Sequence, residues 1–324
     1  MTPASGTDHS DRRDAAGGTQ APGPPTGTHT TTAARPVGVN VLVAGGSGFV
    51  GRALCRALVA RGHDVTAASR SPGRAALPGD VATAALDVTD DDVDGAVEGH
   101  DVVANLVALP AHVRSARSHE TVHAGGTRRL VAAAERTGVE RFVQVSALGV
   151  EAGVDTAYFR AKRRAERAVQ EATLESVVYR PSVVFGDDCA FVPFLERAVP
   201  PVVLPLPAGA GRLHPMWVGD LAPMLADGVV GPEHAGETYR LGGPEVLTFA
   251  ETVRRVVGDR VVVPVPGAVA VVGAAVADAV PGVPVGRDQY RALCHDNVAA
   301  PNDVSAFGVA ADDLLTLEAY VDGR

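Results

Sequence analysis

The sequence predicts an α/β protein built on a doubly wound parallel sheet, and three observations carry that expectation. Short valine-rich runs alternate with helical stretches from residue 39 to residue 180. The runs are valine-rich and mostly apolar and do not alternate, as strands covered on both faces should be. A glycine-rich turn, Gly45-Gly46-Ser47-Gly48-Phe49-Val50-Gly51, joins the first run to the first helix. Strands joined by right-handed crossovers place helices on both sides of such a sheet.

The elements follow in order. Residues 39–44 form a first strand, and residues 49 to about 61 a helix that Gly62 stops as a left-handed cap. Further strands are expected at 65–69, 81–86, 101–107, 141–146 and 176–180. Helices are expected at 91–97, 120–136 (ended by Gly138) and 158–172. After Gly186 the rhythm breaks into proline- and valine-rich stretches with short helices, while 238–241 reads as one more strand. Thr248 with Glu251 fits a capping box for a helix to about residue 257.

This pattern divides the chain. Residues 1–37, rich in Gly, Pro, Thr and Ser, hold too little apolar surface to offset chain entropy and are expected to be a disordered tail. Residues 38–185 form the sheet domain, with 213–245 returning to it, and 186–212 with 246–324 a smaller substrate or partner domain.

Composition excludes several functions. Asp and Glu number 38 against 29 Lys and Arg, a net charge of −9, which argues against nucleic acid because neutralising phosphates needs a basic surface. Cys55, Cys189 and Cys294 are an odd set without metal-ligand spacing, so neither a zinc site nor a disulfide framework is expected. A reducing, cytoplasmic location follows, and no secretory signal is read. Residues 261–285 carry one charge, Asp278, but Pro264, Pro266, Pro281 and Pro284 confine any helix to 267–280. At 1.5 Å per residue such a helix reaches about 21 Å, short of a hydrocarbon core of about 30 Å. A buried helix is the favoured reading, with peripheral contact to a membrane or partner as the alternative.

Gly45, Gly48 and Gly51 stand at i, i+3 and i+6 between an apolar strand and an amphipathic helix. Gly45 allows the tight turn, Gly48 lets backbone approach a pyrophosphate, and Gly51 lets helix and sheet meet closely, a Rossmann-like arrangement. An NAD site usually places a carboxylate at the end of the second strand. Here the strand ends Ser69-Arg70-Ser71, a set of donors suited to a 2′-phosphate, so NADP(H) is expected in preference to NAD(H). Asp87-Val88 stands where an adenine would be held, or else Asp87 caps the helix at 91–97.

Tyr158 and Lys162, at i and i+4, share one helical face. Lys162 is the chain's only lysine, among 28 arginines, so an ammonium is retained where arginine is otherwise used. Such an ammonium would lower the phenol's pKa from about 10 and fit it for the proton transfer that accompanies hydride transfer at a carbonyl.

With the glycine turn, Asp87-Val88, Tyr158/Lys162 and the run Arg180-Pro181-Ser182-Val183-Val184-Phe185-Gly186, the chain resembles the short-chain dehydrogenase/reductase superfamily over residues 39–322. The stretches 126–128, 138–143 and 214–221, and above all Asp296-Asn297-Val298 with Phe307-Gly308-Val309, are similar to its atypical branch, which includes the nucleotide-binding accessory subunit of respiratory complex I and its prokaryotic relatives. The resemblance implies a bound NADP(H), with chemistry often undefined or absent. It assigns Gly45, Ser47, Gly48, Phe49, Val50 and Gly51 to the pyrophosphate. Arg70 goes to the 2′-phosphate, Asp87 and Val88 to adenine, and Tyr158 and Lys162 to the nicotinamide ribose. Pro181, Ser182 and Val183 go to the carboxamide side. Ser146 follows the fifth strand one or two residues earlier than the hydroxyl of active members, and His123 stands where relatives commonly carry asparagine.

Other residues read as structural: His214 and Trp217 as packing, Cys55 as a small buried hydrophobe, Gly125 and Gly126 as points of close helix packing. An NADPH-dependent oxidoreductase is expected, with Tyr158, Lys162 and Ser146 as its catalytic set and a hydrophobic carbonyl or quinone-like substrate. The alternatives are a non-catalytic accessory or assembly subunit of a respiratory complex, and an NADP(H) redox sensor.

Overall fold

Seven strands, all parallel to their neighbours, form the central sheet of the computed structural model, which describes residues 38–73, 76–109, 118–200, 202–278 and 286–324. The tail expected at 1–37 lies outside these residues. In chain order the elements are β1 (Asn40–Ala44), α1 (Phe49–Ala60), β2 (Asp64–Ser69), β3 (Ala82–Ala85), α2 (Asp94–Val97) and β4 (Val102–Asn105). A π-helical turn, Glu120–Gly125, leads into α3 (Gly126–Thr137), then β5 (Arg141–Val145), α4 (Ala157–Gln170) and β6 (Glu175–Pro181). The later part holds β7 (Val184–Phe185), α5 (Phe191–Ala198), β8 (Val203–Pro207), β9 (Arg212–Leu213), β10 (Met216–Trp217) and α6 (Val218–Val230). It continues with β11 (Thr238–Leu241), β12 (Leu247–Thr248), α7 (Phe249–Val257), β13 (Val261–Val265), α8 (Gly267–Asp278) and α9 (Arg287–Leu293).

The strand order is β11-β6-β5-β4-β1-β2-β3. Side chains of β1 show how the sheet is covered. Val41 and Val43 enter the core beneath α1 and α6, whereas Leu42 and Ala44 enter the one beneath α2 and α3. Both sets are fully buried, which explains why the strand is apolar without alternation. On α1, Gly51, Leu54, Cys55 and Leu58 are buried at helical spacing, and Cys55 packs as a small hydrophobe. Strand and helix ends differ from expectation by a few residues. The largest shift is α2, which begins at Asp94, not 91.

Two short ladders, β9–β12 and β8–β13, link segments after Gly186 to one another, and a third, β7–β10, ties Met216–Trp217 to the strand just before Gly186. His214 is buried and Trp217 joins the cluster around Phe185, as packing residues should. The expected capping box at Thr248 is present. The helix favoured as buried is not: in α8 only Ala274 is buried, because a single side of the helix meets the protein. No helix among the described residues is long and apolar enough to cross a membrane.

Candidate nucleotide site

From β1 the chain proceeds to β2 and β3 on one side of the sheet, then crosses to β4 on the other. At this reversal the loops after β1 and β4 turn apart and leave a crevice at the strands' carboxyl ends. Two adjoining clefts occupy it, of about 210 and 550 Å³, and both touch Gly45, Gly48 and Leu106. The smaller is bordered by Ser47, Ser69, Arg70, Asp87 and Val88. The larger is bordered by Phe49, Val50 and Gly51 on one side and by Tyr158, Pro181, Ser182 and Val183 on the other.

The glycines are required by close approach. Gly45 has φ +86°, a left-handed conformation, and its N–H donates to the Ala68 carbonyl at 2.9 Å. A Cβ on Gly51 would overlap the Gly45 carbonyl oxygen and stand 2.8 Å from the Gly46 Cα, so α1 starts directly against the turn. Gly48 is the N-cap of α1 and no side chain caps that end. The first amides of the helix therefore face the cleft without a side-chain acceptor. Arg52 holds the turn from behind, donating to the Ser47 carbonyl at 2.8 Å and to Asp188 at 3.1 Å.

At the end of β2 the Ser69 hydroxyl is buried with no hydrogen-bond partner, and Arg70 is exposed at the cleft edge. Asp87 Oδ1 accepts from the Thr89 N–H at 3.0 Å and the Thr89 hydroxyl at 2.7 Å. This Asx turn fixes Asp87 at the cleft, and the alternative reading of Asp87 as the cap of α2 fails because Val93 occupies that position. Val88 is pinned by Gly126, where a Cβ would come within 2.7 Å of its side chain. A Cβ on Gly125 would press on the flexible end of Arg129 at 3.1 Å and otherwise make ordinary contacts with the Glu120 carbonyl and Arg128, so of the glycine pair Gly126 is the one that marks tight packing.

Tyr158 lies in the first turn of α4, whose N-cap is Thr156 accepting from the Phe159 N–H at 3.1 Å. The Ala157 N–H donates to Asp288 of α9 at 2.8 Å. Lys162 is 2% exposed and does not border the cleft; its Nζ donates to the Val145 carbonyl at 2.9 Å and stands 5.9 Å from the Tyr158 ring centre. The expected depression of the phenol pKa is not found. Burial pushes Tyr158 up to about 12 and Lys162 down to about 8, since desolvation outweighs the ammonium's effect at this separation. His119 and His123 stack on each other and set their edges against the Tyr158 ring, with centroids 5.6 and 5.5 Å from it. His123 accepts from the Leu109 N–H at 3.3 Å; burial, reinforced by Lys162 and His119, lowers its pKa to about 3. The π-helical turn that carries it is a geometry common at functional sites.

Ser146 is buried behind the cleft with its hydroxyl unpartnered, and its neighbour Ala147 is the residue at the wall. Two features were not singled out from sequence as site elements. Asn105 donates to both Thr127 and Gln144 at 3.0 Å, and the Gln144 amide donates to the same Val145 carbonyl that holds Lys162. Asn297 borders the larger cleft, accepting from the Ser182 hydroxyl at 2.6 Å and donating to the Leu148 carbonyl at 3.2 Å. Its only sequence signal was its place in the Asp296-Asn297-Val298 stretch.

The cradle of Gly45, Gly48 and Gly51, the uncapped helix end and the orphaned Ser69 hydroxyl fit a dinucleotide: phosphates at the turn, adenosine in the smaller cleft, nicotinamide in the larger. The class is thus a Rossmann-type nicotinamide-nucleotide protein. A family model described as NAD(P)H-binding matches residues 45–189. The chain is 31% identical over 225 residues to the mitochondrial NADH dehydrogenase (ubiquinone) 1 alpha subcomplex subunit 9 of Arabidopsis thaliana, covering 66% of this chain and 56% of that relative. It therefore spans little more than half that relative's length. With the 2-alkyl-3-oxoalkanoate reductase of Stenotrophomonas maltophilia it shares 30% identity over 251 residues, 67% of this chain and 74% of the other. The NAD complex of Thermus thermophilus UDP-glucose 4-epimerase superposes with a TM-score of 0.64 at 21% identity, over 87% of this chain and 98% of that one, a likeness of fold. The chain belongs to the NAD(P)H-binding atypical short-chain dehydrogenase/reductases.

Proposed function

We propose that the protein is an NADPH-dependent oxidoreductase acting on a hydrophobic carbonyl or quinone-like substrate, with a smaller lobe of residues 186–212 and 246–324 over the cleft. The observation that carries this reading is Tyr158, which borders the larger cleft together with Gly45, Gly48 and Gly51 of the glycine turn. A reduced nicotinamide held by these residues would supply the hydride for the carbonyl carbon. Tyr158, kept protonated at neutral pH by its raised pKa, donates the proton to the carbonyl oxygen. Lys162 holds its positive charge behind the ring and steadies α4 on the end of β5. Arg70 and the Ser69 hydroxyl select the 2′-phosphate. Ser146 is left without a direct contact to substrate, so Tyr158 is the one side chain given to the carbonyl oxygen.

The test is turnover of NADPH by the full chain with a 2-alkyl-3-oxo ester and with a short-chain ubiquinone. In Tyr158→Phe, kcat falls by about 10²-fold or more, the usual worth of a positioned acid, while NADPH binding is retained. Equal turnover by wild type and variant, or none with either substrate class, overturns the enzyme reading.

The sequestered Ser146 and the likeness to a complex I subunit favour a second reading: a nucleotide-binding accessory or assembly subunit held at the cytoplasmic side of a respiratory complex. Under it, Tyr158→Phe supports growth on respiratory substrates and Gly48→Glu, which fills the phosphate cradle, does not.

A further inference from the structure

A second cavity, of about 470 Å³, lies apart from the nucleotide crevice, between α5, α7, α8, α9 and the β8–β13 ladder. Leu195, Leu204, Leu206, Phe249, Ala274 and Leu293 line it, and no charged or histidine side chain among the described residues borders it. Its volume is that of a small-molecule site. No described side chain on its wall carries a charge to pair with an ionised group, and apart from Gln289 and Tyr290 the lining is apolar, so it suits an uncharged, largely apolar ligand.

The roof of this cavity is α8. One side of the helix, with Ala270, Gly273, Ala274 and Ala277, faces the cavity. Val269, Val272 and Val276 are 60, 63 and 61% exposed. A helix apolar on every side is stable when both sides are covered by apolar material, and here one is not. Beside it β13 exposes Val261, Val262 and Val263. Among the described residues, every exposed large apolar side chain except Val230 and Val246 lies on α8, on β13, or at the start of β8. From residue 261 to 277 the sequence carries no charge, in a chain that is 21% charged.

We infer that this cavity holds the hydrocarbon chain of a membrane-dissolved molecule, and that α8 and β13 form the face laid on the bilayer through which the chain enters. Protein interfaces carry about one hydrogen bond per 100–200 Å²; valine and alanine side chains offer none, so a lipid phase suits this face better than a protein surface. Twelve residues at 1.5 Å rise make α8 about 18 Å long, which sets it in the interface and not across it. Binding is driven by buried apolar area and needs no anionic lipid, which a chain of net charge −9 would not be attracted to. Helix α9 links this cavity to the wall of the crevice. Gln289, Tyr290 and Leu293 border the cavity, while Asp288 holds the backbone of Ala157, next to Tyr158. The inference stands whichever reaction the crevice performs.

The test uses the full chain and cis-parinaric acid methyl ester, an uncharged fluorescent polyene, delivered either from phosphatidylcholine vesicles or from a cyclodextrin carrier. Saturable uptake of one probe per chain is expected from both, with protein floating with the vesicles equally at low and high salt. A Cβ on Gly273 meets nothing within 4 Å, so Gly273→Phe fits, raises helix propensity, and places its ring in the cavity. Probe uptake then falls at least tenfold with NADPH binding unchanged, which shows the fold intact. Val272→Asp keeps uptake from cyclodextrin and loses flotation. Wild-type protein that takes probe from neither carrier, a Gly273→Phe variant that binds as wild type, or flotation that requires anionic lipid overturns the inference. So does a stable oligomer or protein complex that covers α8 and abolishes flotation.

Discussion

Replacing Arg70 with alanine isolates the proposed choice of cofactor. The side chain is exposed at the edge of the adenosine cleft and makes no hydrogen bond or ion pair among the described residues, so its removal changes folding stability by no more than about 0.5 kcal/mol. Its guanidinium fork is free to meet a phosphate. A hydrogen bond to a charged group contributes about 1.5–3 kcal/mol. At about 1.4 kcal/mol per tenfold, NADPH binding weakens by roughly 10- to 150-fold. NADH lacks the 2′-phosphate, and its affinity changes by less than about twofold if Arg70 acts only there. Because the site is open to solvent, the NADPH advantage also shrinks as the Debye length contracts from about 10 Å at 0.1 M salt to about 3 Å at 1 M. Fluorescence titrations of both reduced nucleotides with both proteins, at low and at high salt, give the eight affinities needed. Equal losses for NADPH and NADH in the variant, or tighter binding of NADH by the wild type, refute the assignment.

Other substitutions probe the remaining parts. Gly51→Ala drives a methyl into the backbone of Gly45 and Gly46. Overpacking of about 1–3 kcal/mol exceeds the gain in helix propensity of about 1 kcal/mol, so the urea midpoint falls and both nucleotides bind less well; unchanged midpoint and affinity contradict the close approach. His123 stays neutral in the native protein down to about pH 3, mainly through burial, whereas the unfolded chain protonates near 6.5. The native state thus binds fewer protons between those values and loses stability as pH falls through that window. His123→Asn flattens this acid limb, and parallel urea midpoints for both proteins at pH 7 and pH 4.5 rule the neutral histidine out. Asn297→Ala leaves the Leu148 carbonyl without its donor and takes one acceptor from Ser182, for a loss of about 1–3 kcal/mol. Faster hydrogen exchange at residues 295–298 is expected, and protection equal to wild type tells against Asn297 as the tie of that segment.

The sheet was legible because its strands obey one rule. A strand covered on both faces is mostly apolar without alternation, and β1 announces itself that way, as do β4 and β5 apart from the buried, hydrogen-bonded Asn105, Arg141 and Gln144. The glycine turn was equally plain, since Gly45 and Gly51 answer to backbone geometry that no other residue satisfies. Spacing alone misled in the catalytic pair. The i, i+4 relation puts Tyr158 and Lys162 on one face, but says nothing of how deeply each is buried, and burial moved both pKa values against the expected direction. The site roles of Asn105 and Asn297 were not legible because such an amide owes its role to partners distant in sequence: Gln144 for the first, Ser182 for the second. The helix at 267–278 was misjudged for a related reason. An all-apolar segment reveals that it avoids water, not whether its own chain supplies the cover.

The single lysine has a practical consequence. Apart from the amino terminus, the chain offers amine-directed reagents one target, sealed beneath the first turns of α4 and bonded to the Val145 carbonyl. Burial holds that amine's pKa down to about 8, and once α4 lifts and water reaches it the amine titrates as an ordinary lysine and reacts in mildly alkaline buffer. Acylation at Lys162 therefore keeps time with the lifting of α4 from β5, and the molecule carries its own clock for how often the floor of the cleft opens.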